Sequence, residues 1–237
     1  MHQIVVNDIP VDVVRKKIKN LHLAVYPPEG RVRVAAPLQV NDEAVRLAVI
    51  SRLGWIKRQQ AKFIGQERQS EREYLSGETH YFLGRRYRLN VVYRDAPPYA
   101  KASKNALILH VRTGSDKAQR EVVLHEWYRE QLKVQIPALI EQWEKVIGVT
   151  IVEWGVKRMK TKWGTCNIQA RRIWLNLELA KKPVHCLEYI IVHELVHLLE
   201  RRHNDRFKAL MDQFMPQWRQ YREELNHTPL AHETWEY

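Results

Sequence analysis

The spacing of apolar positions changes near residue 115. Before it, Val, Ile and Leu fall in short runs interleaved with basic residues, a strand pattern at residues 14–26, 31–36, 81–82, 87–93 and 106–111. Pro27-Pro28-Glu29-Gly30 has hairpin chemistry, and Ala96-Pro97-Pro98 and Gly114-Ser115 mark loops. One helix is predicted in this half. It runs from an Asn41 N-cap to about Arg68, with Ala44, Leu47, Ala48, Leu53, Ile56 and Phe63 on its apolar face. After Asp116 the period becomes helical. Val122, Val123, Trp127, Leu132, Ile136, Leu139, Ile140 and Trp143 suit one long helix or two, with Pro137 expected to kink or divide it and Gly148 to end it. Strand-like pieces follow at 150–154 and 172–177. Pro183 fits the first turn of a helix to about Arg201, Asn204 caps another through Met211, and Pro216 opens a last one. No internal repeat is apparent. The pattern predicts an α+β chain: a β-rich region with one helix over 1–115, and a C-terminal domain over 116–237.

At 237 residues and 45% hydrophobic content, the chain can bury one large core or two small ones. No run approaches the roughly 18 apolar residues of a membrane span. The N-terminus lacks the basic and apolar regions of a secretory signal, and the two cysteines, Cys166 and Cys186, do not make a disulfide scaffold, so a cytoplasmic location is expected. A formal charge of +12 suggests anionic partners, nucleic acid among them, although a basic surface is not by itself a site.

The chemistry concentrates in His193-Glu194-Leu195-Val196-His197. Helical positions four apart lie about 40° from each other around the axis, so both imidazoles can share one metal ion. Glu194 lies beside them, too near in sequence to be a ligand but able to reach a water on that ion. The five-residue run alone is suggestive. His203, six residues on, raises its specificity and supplies a third ligand, with Asp205 and Asp212 as the alternatives. The spacing equals the metzincin pattern, but the position of that pattern's turn glycine holds Glu200. Zinc is the expected ion, and other divalent metals can occupy such a set. The competing structural reading makes His193 and His197 core histidines of a buried helix, since Leu187, Ile190, Ile191, Leu195 and Leu198 surround them. A Glu between two His in such surroundings needs partners, which a metal and its water supply. His125, His185, His227 and His232 stand alone and read as surface or cap residues. Tyr189, Tyr221 and His227 are candidate oxyanion donors that nothing in the sequence ranks.

The run Arg158-Met159-Lys160-Thr161-Lys162-Trp163-Gly164-Thr165-Cys166 resembles a segment of the YgjP-like metallopeptidase family, with Lys162 for the usual arginine and Thr165 for the usual serine. Ile173-Trp174-Leu175-Asn176-Leu177, Pro183, the His193–His197 run, His203 and Phe207 continue the likeness, which reaches Tyr81 to Tyr87 and the N-terminal strands. The resemblance implies a zincin-like catalytic domain, similar to SprT-like zinc domains, with His193, His197 and His203 on zinc and Glu194 as general base.

Residues 157–182 carry eight basic side chains and one acidic, Glu178. If 172–177 edges the cleft, it can pair with an extended peptide, and the cations can hold phosphates. Trp163 and Trp174 read as core residues, and Cys166 as a small buried hydrophobe. Three functions compete: a metallopeptidase acting on peptide or protein; a metal-dependent phosphohydrolase of nucleotide pyrophosphatase type, acting on a phosphate-bearing substrate; and a protease anchored to nucleic acid by its basic surface. The sequence assigns no substrate-binding residue.

Overall fold

A computed structural model of the chain describes residues 2–26, 30–64, 72–159 and 162–227. The chain divides between Glu71 and Arg72 into two compact units. Among the described residues are three β-sheets and six α-helices, a mixed α/β architecture. No helix among them is long and apolar enough to cross a membrane.

The first unit opens with a hairpin absent from the sequence reading, β1 (His2–Val6) and β2 (Ile9–Lys16). Its two-residue turn, Asn7-Asp8, has φ of 46° and 62°, the left-handed pair that matches strand twist and that Asn and Asp tolerate best. β3 (His22–Tyr26) and β4 (Arg31–Pro37) complete a sheet of order β1-β2-β4-β3; residues 27–29 of the predicted hairpin turn lie outside the described residues. The Asn41 side chain caps α1 (Asp42–Ile50) by accepting from Ala44 N. The predicted single helix breaks at Ser51-Arg52, and α2 (Leu53–Ile64) follows; residues 65–68 of that prediction are outside the described set. Val45, Val49 and Ile56 pack on the sheet with Val11, Val13, Val32 and Val34.

The second unit begins with β5 (Thr79–Phe82), β6 (Arg85–Tyr93), β7 (Tyr99–Ala102) and β8 (Ala106–Val111), in the order β5-β6-β8-β7. This repeats the first sheet's plan: antiparallel, parallel, antiparallel, with six residue pairs in each central parallel register. The first hairpin again turns on two left-handed residues, here Leu83-Gly84, and a helix capped by Asp116 follows, as one capped by Asn41 does in the first unit. The repeat lies in strand order and turn geometry, which tolerate many apolar choices, and so escapes a reading for sequence identity.

α3 (Lys117–Ile147) starts in a capping box at Asp116 and ends at Gly148, whose φ of 74° suits glycine. It continues through Pro137 as one helix, so the proline does not divide it. Pro137 and Lys133 are both exposed, so the carbonyl that loses its partner faces water. Residue 115, where the pattern changes, falls inside this unit, and β8 and α3 share its core. A second sheet of order β10-β11-β9 comprises β9 (Glu153–Lys157), β10 (Gly164–Asn167) and β11 (Arg172–Asn176). A 3-10 helix (Leu177–Lys181), α4 (Val184–Val196), α5 (Asp205–Phe214) and α6 (Trp218–His227) close the fold. The β5–β6 turn docks on the 3-10 helix: Leu83 N donates to Ala180 O (3.0 Å) and Gly84 N to Lys181 O (3.2 Å). A side chain at Gly84 would meet Pro183 Cγ at 2.7 Å.

His80 and His125 flank Tyr74 inside this unit, with ring centroids 5.8 and 6.3 Å from it. Burial pulls both imidazoles down to about 4. The unfolded chain therefore binds protons that the folded chain excludes between about pH 6.5 and 4, and stability falls as pH drops through that window by at most ~3 kcal/mol per histidine. Glu194, whose carboxyl is pushed up, opposes this, but His193 adds to it. Denaturant titration of the metal-free protein is expected to give a lower midpoint at pH 4.5 than at pH 7; an unchanged or higher midpoint would contradict the burial of these rings.

Candidate metal centre

α4 is apolar nearly all round, with Cys186, Leu187, Ile190, Ile191, Val192, Leu195 and Val196 buried. It is a core helix whose last turn carries the polar groups. His193 and Glu194 lie in that turn, and His197 is its C-cap. The helix stops at Val196, not near Arg201 as the sequence suggests. Leu198 N and Leu199 N bond to carbonyls three residues back, at 3.0 and 2.9 Å, tightening the chain into a reversal. No residue from 197 to 203 has positive φ, so the turn works with Glu200 where a metzincin places glycine. The Asn204 side chain caps α5 by accepting from Phe207 N at 3.0 Å, which fixes His203 one residue before the N-cap.

This path brings His203 back to α4. His203 Nε2 lies 3.0 Å from His193 Nε2, and the three imidazole centroids are 4.7–4.9 Å apart. Phe207 packs against all three rings at 4.7–5.0 Å. His197 Nδ1 is 3.1 Å from Glu200 O, an acceptor that places the proton on Nδ1 and leaves Nε2 as a lone pair. One nitrogen from each ring lies within 4.8 Å of the others. Burial lowers the basicity of all three rings, His193 to about 3, with the other two histidines adding to its shift. Two ring nitrogens at 3.0 Å need either an N–H of one tautomer donating to the other or a cation shared between them. A divalent ion meets the need: two bonds of 2.0–2.1 Å at a tetrahedral angle put their nitrogens about 3.3 Å apart. The donor set fits a metal of the zinc type.

Glu194 is 5% exposed, and burial pushes its carboxyl up to about 8, with Lys162 pulling the other way. Its space is made by Gly164, the first residue of β10. A Cβ there would lie 2.6 Å from Glu194 Oε1, 2.8 Å from its Cγ and 2.9 Å from Ile190 Cγ2. The loop before β10 is tied down by Asn176, buried at the end of β11. Its Nδ2 donates to Met159 O (2.7 Å) and Lys162 O (2.8 Å), and its Oδ1 accepts from Met159 N (3.3 Å) and Glu178 N (3.2 Å). Neither role is visible in the sequence beyond the presence of both residues in motif-like runs. Gly164→Ala is expected to leave metal content unchanged and to lower turnover about 100-fold, because displacing a proton-transfer group by about 1 Å costs that much. Metal analysis beside an activity assay checks it; wild-type turnover would show that the carboxylate tolerates the methyl.

The family model described as "YgjP-like, metallopeptidase domain" matches residues 19–228. The chain belongs to the YgjP-like metallopeptidase family. It is accordingly a metal-dependent hydrolase, with peptide or protein as the substrate class of its family. No curated protein matches it. A solved structure, the metallopeptidase zymogen of Pyrococcus abyssi abylysin, is similar at 16% identity, covering 40% of this chain and 98% of that one with a TM-score of 0.36.

In this YgjP-like chain the carboxylates weighed as third ligands lie elsewhere. Asp205 pairs with Lys208 at 2.9 Å, and Asp212 accepts from Trp218 Nε1 (2.7 Å) and from Arg219. Tyr189 lines the cleft, its ring 5.9 Å from that of His193. Tyr221 lies instead against His185, with ring centroids 4.8 Å apart and the planes tilted by 35°. The side chain of His227, and all of His232, lie outside the described residues. His125 is half-buried against Tyr74 rather than on the surface. His185 bonds Glu224 at 2.6 Å, and Cys186 lies close enough to make a second cluster. Adjacent helix positions point about 100° apart, however, and the Lys182 cation also faces that thiol. Both cysteines are free, and Cys166 is half-buried beside Glu194.

The basic run at 157–182 does not act as one surface. Lys157 and Arg172 lie over Trp174, Arg158 pairs with Glu121, Lys181 with Glu178, and Lys182 sits over Trp163. Trp174 faces Gly155, where a Cβ would come within 2.2 Å of the indole. Trp163 and Lys162 line the cleft. The strand expected to edge the cleft, β11, is paired on both sides and cannot accept a peptide; the edge strand along the cleft is β10.

Proposed function

We propose that the chain is a zinc peptidase of zincin-like architecture in which His193, His197 and His203 hold the ion and Glu194 is the general base. The convergence of three weakly basic imidazoles, two half-buried and His203 exposed, beside a buried carboxylate carries this reading. These residues all lie C-terminal to residue 115, within the second compact unit, whose strands β5–β8 serve as scaffold for the catalytic part at 116–237. A bound zinc ion supplies Lewis acidity, acidifying a water towards a pKa of roughly 7 and polarising the scissile carbonyl.

The chain's own residues do the rest. Glu194 Oε takes a proton from the attacking water and delivers it to the departing amide nitrogen. Burial keeps this carboxyl near the working pH, where it can both accept and donate. Gly164 keeps the carboxylate in place without filling its space. Among the described residues no strand pairs with the outer edge of β10, which can take an extended substrate along the cleft wall.

A panel of zinc-loaded protein against a casein-type substrate and nucleoside triphosphates tests the proposal. Cleavage of the protein substrate, abolished by chelation and restored by zinc, is expected. Release of pyrophosphate or phosphate with no peptide cleavage would replace it by the phosphohydrolase reading.

A further inference from the structure

Four cations reach the cleft from four separate segments: Lys162 before β10, Arg201 in the reversal after α4, Lys208 on α5 and Arg222 on α6. Among the described residues, the one acidic group on the same walls is Glu194, which the proposed chemistry occupies. Lys208 is partly neutralised by Asp205. Among the described residues, the side chains of Lys162, Arg201 and Arg222 have no hydrogen-bond or ion-pair partner. Lys162 acts on the carboxylate of Glu194 and Arg222 on the rings of His193 and His203, so cations flank the centre from the β10 side and from the α6 side. Elsewhere in the second unit, Arg158, Arg172 and Lys181 are matched by carboxylates. The cleft keeps positive charge that its neighbours neutralise.

Unmatched guanidinium and ammonium groups beside an open cleft select anions. An unpaired strand edge selects an extended backbone. We infer that the cleft takes acidic peptides, with Asp or Glu side chains on either side of the scissile bond held by Lys162, Arg201 and Arg222. The inference rests on the peptidase reading and specifies its substrate class. The strand edge favours a peptide over a nucleic acid, because the alternating N–H and C=O groups of β10 match a peptide backbone in register, whereas phosphate oxygens can accept from the N–H groups but offer no donor to the C=O groups.

Three fluorogenic peptides of equal length, flanking the scissile bond with Glu, Gln or Lys, test it on the zinc-loaded full chain. The expected order of kcat/KM is Glu, then Gln, then Lys, with Glu over Lys by about tenfold or more at low salt, expressed mainly in KM and shrinking as ionic strength rises. Arg222→Glu and Lys162→Glu should each lower the Glu-to-Lys ratio, and together invert it. Fluorescence anisotropy of the three peptides on Glu194→Gln protein should show the same ranking in Kd without turnover. Equal cleavage of the three peptides, or a ratio untouched by the two reversals, would overturn the inference. Casein cleavage with no preference in the set overturns it alone; failure on casein and on all three peptides overturns the peptidase reading with it. Competition by a single-stranded oligonucleotide stronger than by polyglutamate would overturn it in favour of nucleic acid.

Discussion

Glu194→Gln is expected to lower peptide hydrolysis about 1,000-fold while the chain keeps its metal. A general base contributes roughly 10²–10⁴-fold to such a step, and Gln has nearly the same shape but cannot take the proton. Glu194 is not among the three converging donors, so the substitution leaves the ion's ligands in place. Its burial, which pushes the carboxyl up to about 8, also has a consequence for stability. A carboxyl raised in the folded state opposes folding above its unfolded value, so the neutral amide should make the metal-free protein at least as stable at pH 8. Metal content, turnover and a thermal melt on one preparation read all three effects. Retained turnover would remove Glu194 from the chemistry, and lost metal would make it a ligand.

His193→Ala should act on the other half of the site. His193 stands at the centre of the cluster, 3.0 Å from His203 Nε2 and with its ring 4.9 Å from that of His197. Structural zinc sites bind with about 10–16 kcal/mol spread over four ligands, so losing one weakens binding by at least about 100-fold. Competition with a chelator of known affinity measures it. Hydrolysis should fall to background at limiting zinc, and circular dichroism should show the metal-free variant still folded, because the rest of α4 is held by the core. Tight binding of one ion by His193→Ala would move the site elsewhere, and His185, Cys186 and Glu224 would be the first place to look.

How much of this was legible in the sequence differs by element. The His193–His197 pair follows from helical spacing alone, because four-residue separation fixes the face of a regular helix. The return of His203 depends on a reversal made without glycine, on Asn204 capping α5 and on Phe207 packing against the rings. A sequence shows the cap but not the packing. Asp205 and Asp212 could be set aside only once their basic partners were visible. The charge of residues 157–182 misled for the same reason. Neighbours in sequence point to different carboxylates and rings in space, whereas the cations of the cleft come from positions as far apart as 162 and 222.

Fold-level misses have similar causes. Strands of four or five residues such as β7 and β10 carry too few positions to show a period. Pro137 leaves α3 undivided because its freed carbonyl faces solvent, an exposure no local rule reports. The repeated four-stranded plan of the two units is a matter of pairing between distant segments, which strand order expresses and residue identity does not.

The central claim is that three histidines hold one ion without help from a thiol or a carboxylate. Zinc-edge X-ray absorption of the protein loaded with one equivalent reads this directly. The account expects imidazole nitrogen scattering at 2.0–2.1 Å, with loss of one imidazole contribution in His203→Ala. A sulfur shell near 2.3 Å, or a spectrum that His203→Ala leaves unchanged, would contradict it.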